Sequence, residues 1–92
     1  MKPSAHRLND ARRQHTEAIV SRHVRELFRR LPMLTGFWLR PDLETEVSVY
    51  TWPGWGTQGL CDEVLRSLVA LADELPEAIQ LMRGRTFARA LH

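Results

Sequence analysis

The sequence has little cysteine and no long hydrophobic run. Cys61 is the one cysteine, so no disulfide can form within the chain. The longest uninterrupted hydrophobic run is the five residues 68–72, whereas a membrane-spanning helix needs about 20 apolar residues. The residues after Met1 also lack the apolar segment of a secretory signal. These absences predict a soluble protein of the reducing cytoplasm, with no membrane partner.

Lysine is also scarce, since Lys2 is the one lysine beside twelve arginines. We interpret this ratio as the codon usage of a GC-rich bacterium. The charges are segregated: residues 1–31 contain eight basic and three acidic residues, a net charge of +5. Residues 32–92 contain five basic and eight acidic residues, a net charge of −3. Blocks of opposite charge can face each other or a partner, and the sequence does not distinguish these arrangements.

The hydrophobic pattern predicts a single α+β domain over residues 1–92, in the order α-β-β-α-α, with residues 1–8 the most prone to fraying. The first helix begins at Ser4 or Asn9 and ends at Leu31, because Pro32 cannot follow a residue in the α region. Alternating residues then predict two strands, and continuous apolar faces predict two more helices separated at Pro76. The predicted ranges are Leu34–Arg40, Thr45–Trp52, Gly59–Leu75 with Thr57 as its N-cap, and Pro76 to about Leu91.

The two strands are expected to form an antiparallel hairpin covered by the helices. Phe37 and Leu39 should face inward with Val47 and Val49, and placing Leu39 opposite Val47 leaves residues 42–44 as the turn. The outer pairs are then Arg40 with Glu46, Trp38 with Ser48, and Gly36 with Tyr50, whose ring would cover the glycine backbone. Two strands alone are marginally stable, so the hairpin needs covering helices, a third strand, or extension of the sheet across a dimer.

The first and third helices have more apolar surface than one core requires. In the first helix, the stripe that contains Val20, Val24 and Leu27 should face the hairpin. A second stripe in its N-terminal half lies on nearly the opposite side, so either the helix breaks or this half packs on another molecule. A second copy of the chain is the simplest partner, which predicts a homodimer. The residues predicted for self-association are Leu8, Ala11, His15 and Ile19 in the first helix and Leu81, Ala88 and Leu91 in the third.

Three glycines spell GxGxxG between a strand and a helix, which is the position of a dinucleotide-binding turn. They are Gly54, Gly56 and Gly59. The preceding strand alternates polar and apolar residues, however, whereas a Rossmann strand is buried and parallel. Asp62 and Glu63 at the start of the next helix would also repel a phosphate. We therefore interpret the motif as a glycine-rich connection and predict no cofactor.

Trp52 and Trp55 flank the pair Pro53 and Gly54, which predicts a type II turn. Such a turn would display at least one indole, and exposed tryptophan is enriched in binding hot spots. The alternative is that one or both indoles cap the core of a small domain. We predict Trp52 and Trp55 as partner-binding residues.

The arginines of the first helix form the one pattern typical of nucleic-acid binding. Arg22, Arg25 and Arg29 lie close enough together around the helix to follow a phosphate backbone. The alternative is a solvated helix face, which the low net charge of +2 and the absence of a helix-turn-helix spacing favour.

No residue pattern indicates catalysis or a metal site. The histidines, His6, His15, His23 and His92, have no spacing typical of metal ligands. Cys61 lies near a helix start, where a thiolate is stabilised. It also falls within an apolar helix face, which predicts a buried and unreactive thiol.

The sequence therefore favours a small non-enzymatic protein-interaction or regulatory module that forms a homodimer. One alternative is a nucleic-acid-binding accessory protein that uses the arginines of the first helix. Another is a small-molecule or enzyme site between the Trp52–Trp55 loop and a histidine.

Overall fold

The structure, a computed structural model, describes residues 3–41 and 46–90, with side chains from residue 9 onward. In these ranges, three helices and three strands follow one another in the order α-β-β-α-α-β. They are α1 (Pro3–Arg30), β1 (Leu34–Leu39), β2 (Val47–Thr51), α2 (Leu60–Glu74), α3 (Pro76–Met82) and β3 (Thr86–Ala88). The predicted mixture of helix and strand is confirmed, and the predicted two-stranded sheet is corrected to three strands.

The sheet is antiparallel, in the order β2-β1-β3. The predicted register of β1 and β2 is confirmed, with Leu39 opposite Val47, Trp38 opposite Ser48 and Gly36 opposite Tyr50. The Arg40 N–H donates to the Glu46 carbonyl at 3.2 Å, which continues the ladder past the strand end. The Tyr50 ring covers the glycine as expected, because its Cδ2 lies 3.5 Å from where a β-carbon on Gly36 would stand. The predicted turn at residues 42–44 lies outside the described residues.

β3 replaces the second half of the predicted third helix. α3 ends at Met82 instead of about Leu91. Arg83 leaves the helical region with a ψ of 131°, and Gly84 follows with a φ of 75° in a turn that the Arg85 N–H closes by donating to the Met82 carbonyl at 3.1 Å. β3 then pairs with β1, and the Phe87 ring stacks on Phe37 with 5.2 Å between the ring centroids. An isolated helix as short as the predicted third helix has little stability of its own. Pairing with a buried strand therefore outweighs the helical pattern of these residues.

All three helices contribute to one core on the same side of the sheet. The most completely buried side chains are Phe37, Leu27, Leu34, Met82, Val20 and Val64. On the predicted inner face, Phe37 and Leu39 are buried, while Val47 and Val49 are partly buried. An irregularity in the ladder between Leu34 and Gly36 acts as a bulge, which lets both Leu34 and Phe37 face this core. In the described part of the chain, no helix covers the other face of the sheet.

α1 is continuous from Pro3 to Arg30, so the expected alternative of a break in its middle is wrong. Its 28 residues give a length of about 42 Å, against about 22 Å for α2. The C-terminal half is anchored in the core by Val20, Val24 and Leu27, and the molecule is 57 Å in its longest dimension. Within residues 3–41 and 46–90, no helix combines enough length with enough apolar character to span a lipid bilayer.

Arg89, which follows β3, closes the C-terminal end of α1. Pro32 has no N–H, so it cannot donate the helical hydrogen bond that the Phe28 carbonyl would accept. The Arg89 guanidinium replaces this donor: Nη2 lies 2.7 Å from Phe28 O and 2.9 Å from Leu31 O, and Nε lies 2.9 Å from Leu34 O. The guanidinium also lies 5.1 Å from the centroid of the Phe28 ring. A cation at a helix C-terminus also interacts favourably with the helix dipole. Arg89 therefore stabilises the junction of α1, β1 and β3.

Candidate functional site

Four aromatic side chains on β1, β2 and the loop after β2 lie outside the buried core, and we term this group the aromatic surface: Trp38, Tyr50, Trp52 and Trp55. Tyr50 is 48% exposed, Trp52 37% and Trp55 61%, and Trp38 is partly buried. Val69 is the one other large hydrophobic side chain that is exposed in the described ranges. Neither predicted tryptophan belongs to the buried core or to the partly buried residues packed against it, which argues against the alternative that one or both indoles cap the core.

The pleat of the sheet places Trp38 and Tyr50 on the helix-free face. Because Trp38 lies opposite Ser48 and Tyr50 lies opposite Gly36, the two aromatic side chains are diagonal neighbours on adjacent strands. Gly36 between them has no side chain, and a β-carbon there would stand 2.9 Å from the backbone oxygen of Phe87. The glycine therefore allows β3 to approach closely and leaves room for the Tyr50 ring.

A tight turn holds the two loop tryptophans. The Trp55 N–H donates to the Trp52 carbonyl at 3.1 Å, Gly54 has a φ of 87°, and Pro53 precedes it. These features confirm the predicted type II turn. The Thr51 hydroxyl donates to the Trp55 carbonyl at 3.0 Å, and the Trp52 indole N–H donates to the Pro32 carbonyl at 3.1 Å. The turn is therefore fixed both to its own strand and to the end of α1.

The remaining glycines of the GxGxxG segment lead into α2. Gly59, with a φ of 78°, is the N-cap, and no side chain caps the helix there. The prediction of Thr57 as the N-cap is therefore wrong, although its carbonyl accepts the Leu60 N–H at 3.0 Å. Asp62 and Glu63 occupy the first turn of α2, as expected, and their charges make this end unfavourable for a phosphate.

The charge beside the aromatic surface is balanced. The Arg40 guanidinium lies 5.8 Å from the centroid of the Trp38 ring, and its Nη1 lies 3.5 Å from Oε2 of Glu46. The cation therefore contacts an aromatic face and a carboxylate at once. On β3 the side chains of this face, Thr86 and Ala88, are uncharged and exposed.

The predicted arginines lie on the other side of the molecule. Arg22, Arg25 and Arg29 are exposed on the side of α1 opposite its buried residues. Arg29 binds Glu26, and this hydrogen bond lowers the pKa of the Glu26 carboxyl and raises the pKa of Arg29. Within the described chain, Arg22 and Arg25 have no carboxylate partner. The structure thus does not bring these arginines together with Trp52 and Trp55.

The residues predicted for self-association do not share one surface. Ala11 and His15 are exposed on α1, and Ile19 is partly buried against the core. Leu81 lines a cavity of about 310 Å³ between α1 and α3. Ala88 is not on a helix as predicted but on β3, facing the helix-free side, because the third helix ends early. The side chain of Leu8 and the whole of Leu91 lie outside the described residues.

The structure gives different surroundings to the histidines and to Cys61. His15 is exposed, and His23 is partly buried with Nε2 3.0 Å from the Ser67 hydroxyl. The cavities beside these two histidines have no tryptophan in their walls. Among the described residues, no group of potential ligands could hold a metal ion. Cys61 is exposed, so the prediction of a buried thiol is wrong: it sits one position beyond the buried Leu60, at the rim of the apolar face.

No protein-family model, no curated protein and no solved structure matches the chain.

Trp38 and Tyr50 belong to the candidate site but were not predicted as partner-binding residues. The register already placed them on the outer face of the hairpin. The signal that could have found them is an aromatic residue at the outward-facing positions of each strand, where an alternating strand usually has polar residues. The two residues extend the predicted Trp52 and Trp55 pair onto the sheet.

Proposed function

We propose that the chain is a non-enzymatic interaction module that binds a segment of another protein on its aromatic surface. The observation that carries the proposal is the concentration of exposed aromatic side chains in six residues, Tyr50 to Trp55. Large apolar side chains that stay in water mark interaction sites, and tryptophan and tyrosine are enriched among the residues that dominate binding energy. A partner segment would bury these rings.

The rigidity of the turn supports this assignment. Trp55 is held by hydrogen bonds from its N–H to Trp52 and to its carbonyl from Thr51, and the Trp52 indole is held by Pro32. A side chain that is already ordered loses little conformational entropy when a partner binds. The Trp52 indole is thus already ordered, and the Trp55 indole projects from a backbone turn that is fixed by hydrogen bonds.

The charge distribution favours a protein partner over a nucleic acid. Binding to a nucleic acid depends on cations that contact phosphates beside the stacked bases. Arg40 next to Trp38 is already paired with Glu46, whereas Arg22 and Arg25 lie on the opposite side of the molecule. A neutral aromatic surface suits an apolar peptide segment.

A phage-displayed library of random peptides, panned against the intact protein, tests the proposal. Enriched peptides are synthesised, and their affinities are measured by fluorescence anisotropy. We expect Trp55→Ala to weaken binding by about tenfold or more, the effect of a hot-spot residue. Val69→Ala is the matched control, since Val69 is as exposed as Tyr50 but lies on α2, and it should bind like the wild type.

Three outcomes would contradict the proposal. They are no enrichment of peptides, equal loss of affinity in both variants, and retention of affinity in Trp55→Ala. A single-stranded oligonucleotide is added as a competitor to separate the partner classes. If it displaces the peptides and its own binding requires Trp55, the surface binds bases, and the assignment to a protein partner is wrong.

We also propose that the chain forms a homodimer through the N-terminal half of α1. Ala11 and His15 are exposed there, and α1 is about twice as long as α2, so a second copy could bury this extension. Light scattering across protein concentrations tests the proposal, with Ala11→Glu expected to shift the protein to the monomer. Ser21→Glu, on another side of α1, is the control and should leave the dimer intact. A wild type that stays monomeric at high micromolar concentration would contradict this.

A further inference from the structure

A second polar site lies between α1 and α2, away from the aromatic surface. His23 on α1 and Ser67 on α2 are both partly buried, with 3.0 Å between the imidazole Nε2 and the hydroxyl oxygen. They line a groove of about 560 Å³. This volume is within the range of small-molecule sites, and a His and Ser pair offers both a donor and an acceptor to a ligand.

The groove has an excess of positive charge. Arg30 and Arg66 lie on its walls with Glu63. Glu63 binds Arg66, with 3.2 Å between Oε1 and Nη1. Arg30 forms no salt bridge among the described residues, and the carboxylate on which its charge acts, Glu26, already binds Arg29. Arg30 is therefore the unpaired cation of this groove.

We propose that this groove binds a small dianion of the phosphate monoester class. The Arg30 guanidinium and the Ser67 hydroxyl would hold the phosphate oxygens, with Arg66 at the entrance. Guanidinium groups bind phosphate through two parallel hydrogen bonds. Leu31 and Ala70 complete the walls and offer apolar contact to the organic part of the ligand.

The surroundings of His23 couple this site to protonation. Burial, and next the charge of Arg30, lower the pKa of His23, while Glu74 acts in the opposite direction. A second groove, on the other side of His23, is lined by Arg22, Glu26 and Glu74, whereas the first contains Arg30, Arg66 and Glu63. A dianion beside Arg30 would offset its charge and raise the pKa of His23. Binding should therefore take up a proton and strengthen as the pH falls.

The test follows the imidazole signals of His23 by NMR over a pH series, in chloride and in millimolar sulfate at constant ionic strength. Sulfate stays a dianion throughout, so its own titration does not interfere. We expect sulfate to raise the pKa of His23. Inorganic phosphate and phenyl phosphate are then titrated at fixed pH, and phenyl phosphate should bind more tightly because its ring contacts Leu31 and Ala70.

Two arginine variants separate the site from a general charge effect. Arg30→Gln should weaken binding of all three anions by about tenfold, the effect of losing a charge-assisted hydrogen bond. Arg25→Gln removes the same charge from the opposite side of α1 and should bind like the wild type, and circular dichroism checks that both variants fold. The proposal is overturned if the anions leave the His23 signals unchanged, or if the two variants respond alike. Equal affinity for phosphate and phenyl phosphate would overturn the assignment to monoesters.

Discussion

Replacing Arg89 by methionine should destabilise the fold strongly. Methionine keeps much of the apolar stem but removes the guanidinium that binds the carbonyls of Phe28, Leu31 and Leu34. The Leu31 carbonyl keeps the Leu34 N–H at 2.9 Å, but the Phe28 carbonyl loses the donor that replaces the missing Pro32 N–H. Because a hydrogen bond to a charged group contributes about 1.5 to 3 kcal/mol, and Arg89 is partly exposed, we expect a loss of about 3 kcal/mol in the free energy of unfolding.

Urea and thermal denaturation followed by circular dichroism measure this loss. For a chain of this size, about 3 kcal/mol corresponds to a fall in Tm of roughly 10 to 25 °C. Arg89→Lys should be intermediate, because one ammonium group cannot reproduce the planar fork of donors. Arg66→Met is the matched control: its arginine has an exposed ion pair within α2, and such pairs contribute about 0 to 1 kcal/mol.

The result that would refute this reasoning is an Arg89→Met protein as stable as Arg66→Met. Water would then satisfy the Phe28 carbonyl as well as the guanidinium does. A large loss in both variants would also contradict it, since general removal of positive charge would explain the effect.

Three further predictions concern single residues. Gly36→Ala should lower stability by about 1 to 3 kcal/mol, seen as a lower urea midpoint, because its β-carbon would stand 2.9 Å from Phe87 O; an unchanged midpoint would show that β3 moves at no cost. Because the pKa of His23 is lowered from 6.5 on folding, the unfolded chain holds this proton more strongly. Stability should fall as the pH drops through 6.5 towards the folded pKa, and His23→Gln should lose that part of the pH dependence of the urea midpoint. Cys61 is exposed, so a thiol reagent such as DTNB should modify it in the native protein. If the thiol reacts only after the protein is unfolded in urea, the exposure of Cys61 is contradicted.

The hairpin could be predicted closely because its information is local. Phe37 and Leu39 occupy alternate positions in the same way as Val47 and Val49, so one register places all four side chains on the core face, where the first two are buried and the valines are partly buried. β3 could not be predicted in this way. It has three residues, too few to show an alternating pattern, and its stability comes from β1, which is distant in the sequence. The residues after Met82 instead continue a helical pattern that Gly84 interrupts.

The candidate site could be predicted only in part, for a similar reason. Pro53 and Gly54 determine the turn locally, and the turn places Trp52 and Trp55 at the surface. The exposure of Tyr50 depends instead on which face of the sheet the helices cover, which is a property of the whole fold. The prediction that Cys61 is buried was wrong because the sequence pattern of α2 identifies only which face of the helix is apolar. The pattern does not show how much of that face the sheet covers.

The position of β3 also leaves the central strand without an edge at which another chain could pair. β1 is the most hydrophobic strand, and its free backbone groups would pair readily with another chain if it lay at an edge. With β2 on one side and β3 on the other, β1 has no open edge. The strands that do lie at the edges are poor templates, because β3 has three residues and the Cys61 thiol of α2 lies 3.8 Å from the Val47 carbonyl on β2. A substitution that detaches β3 should therefore expose the edge of β1. The protein should then self-associate through strand pairing, even where the helical core stays folded.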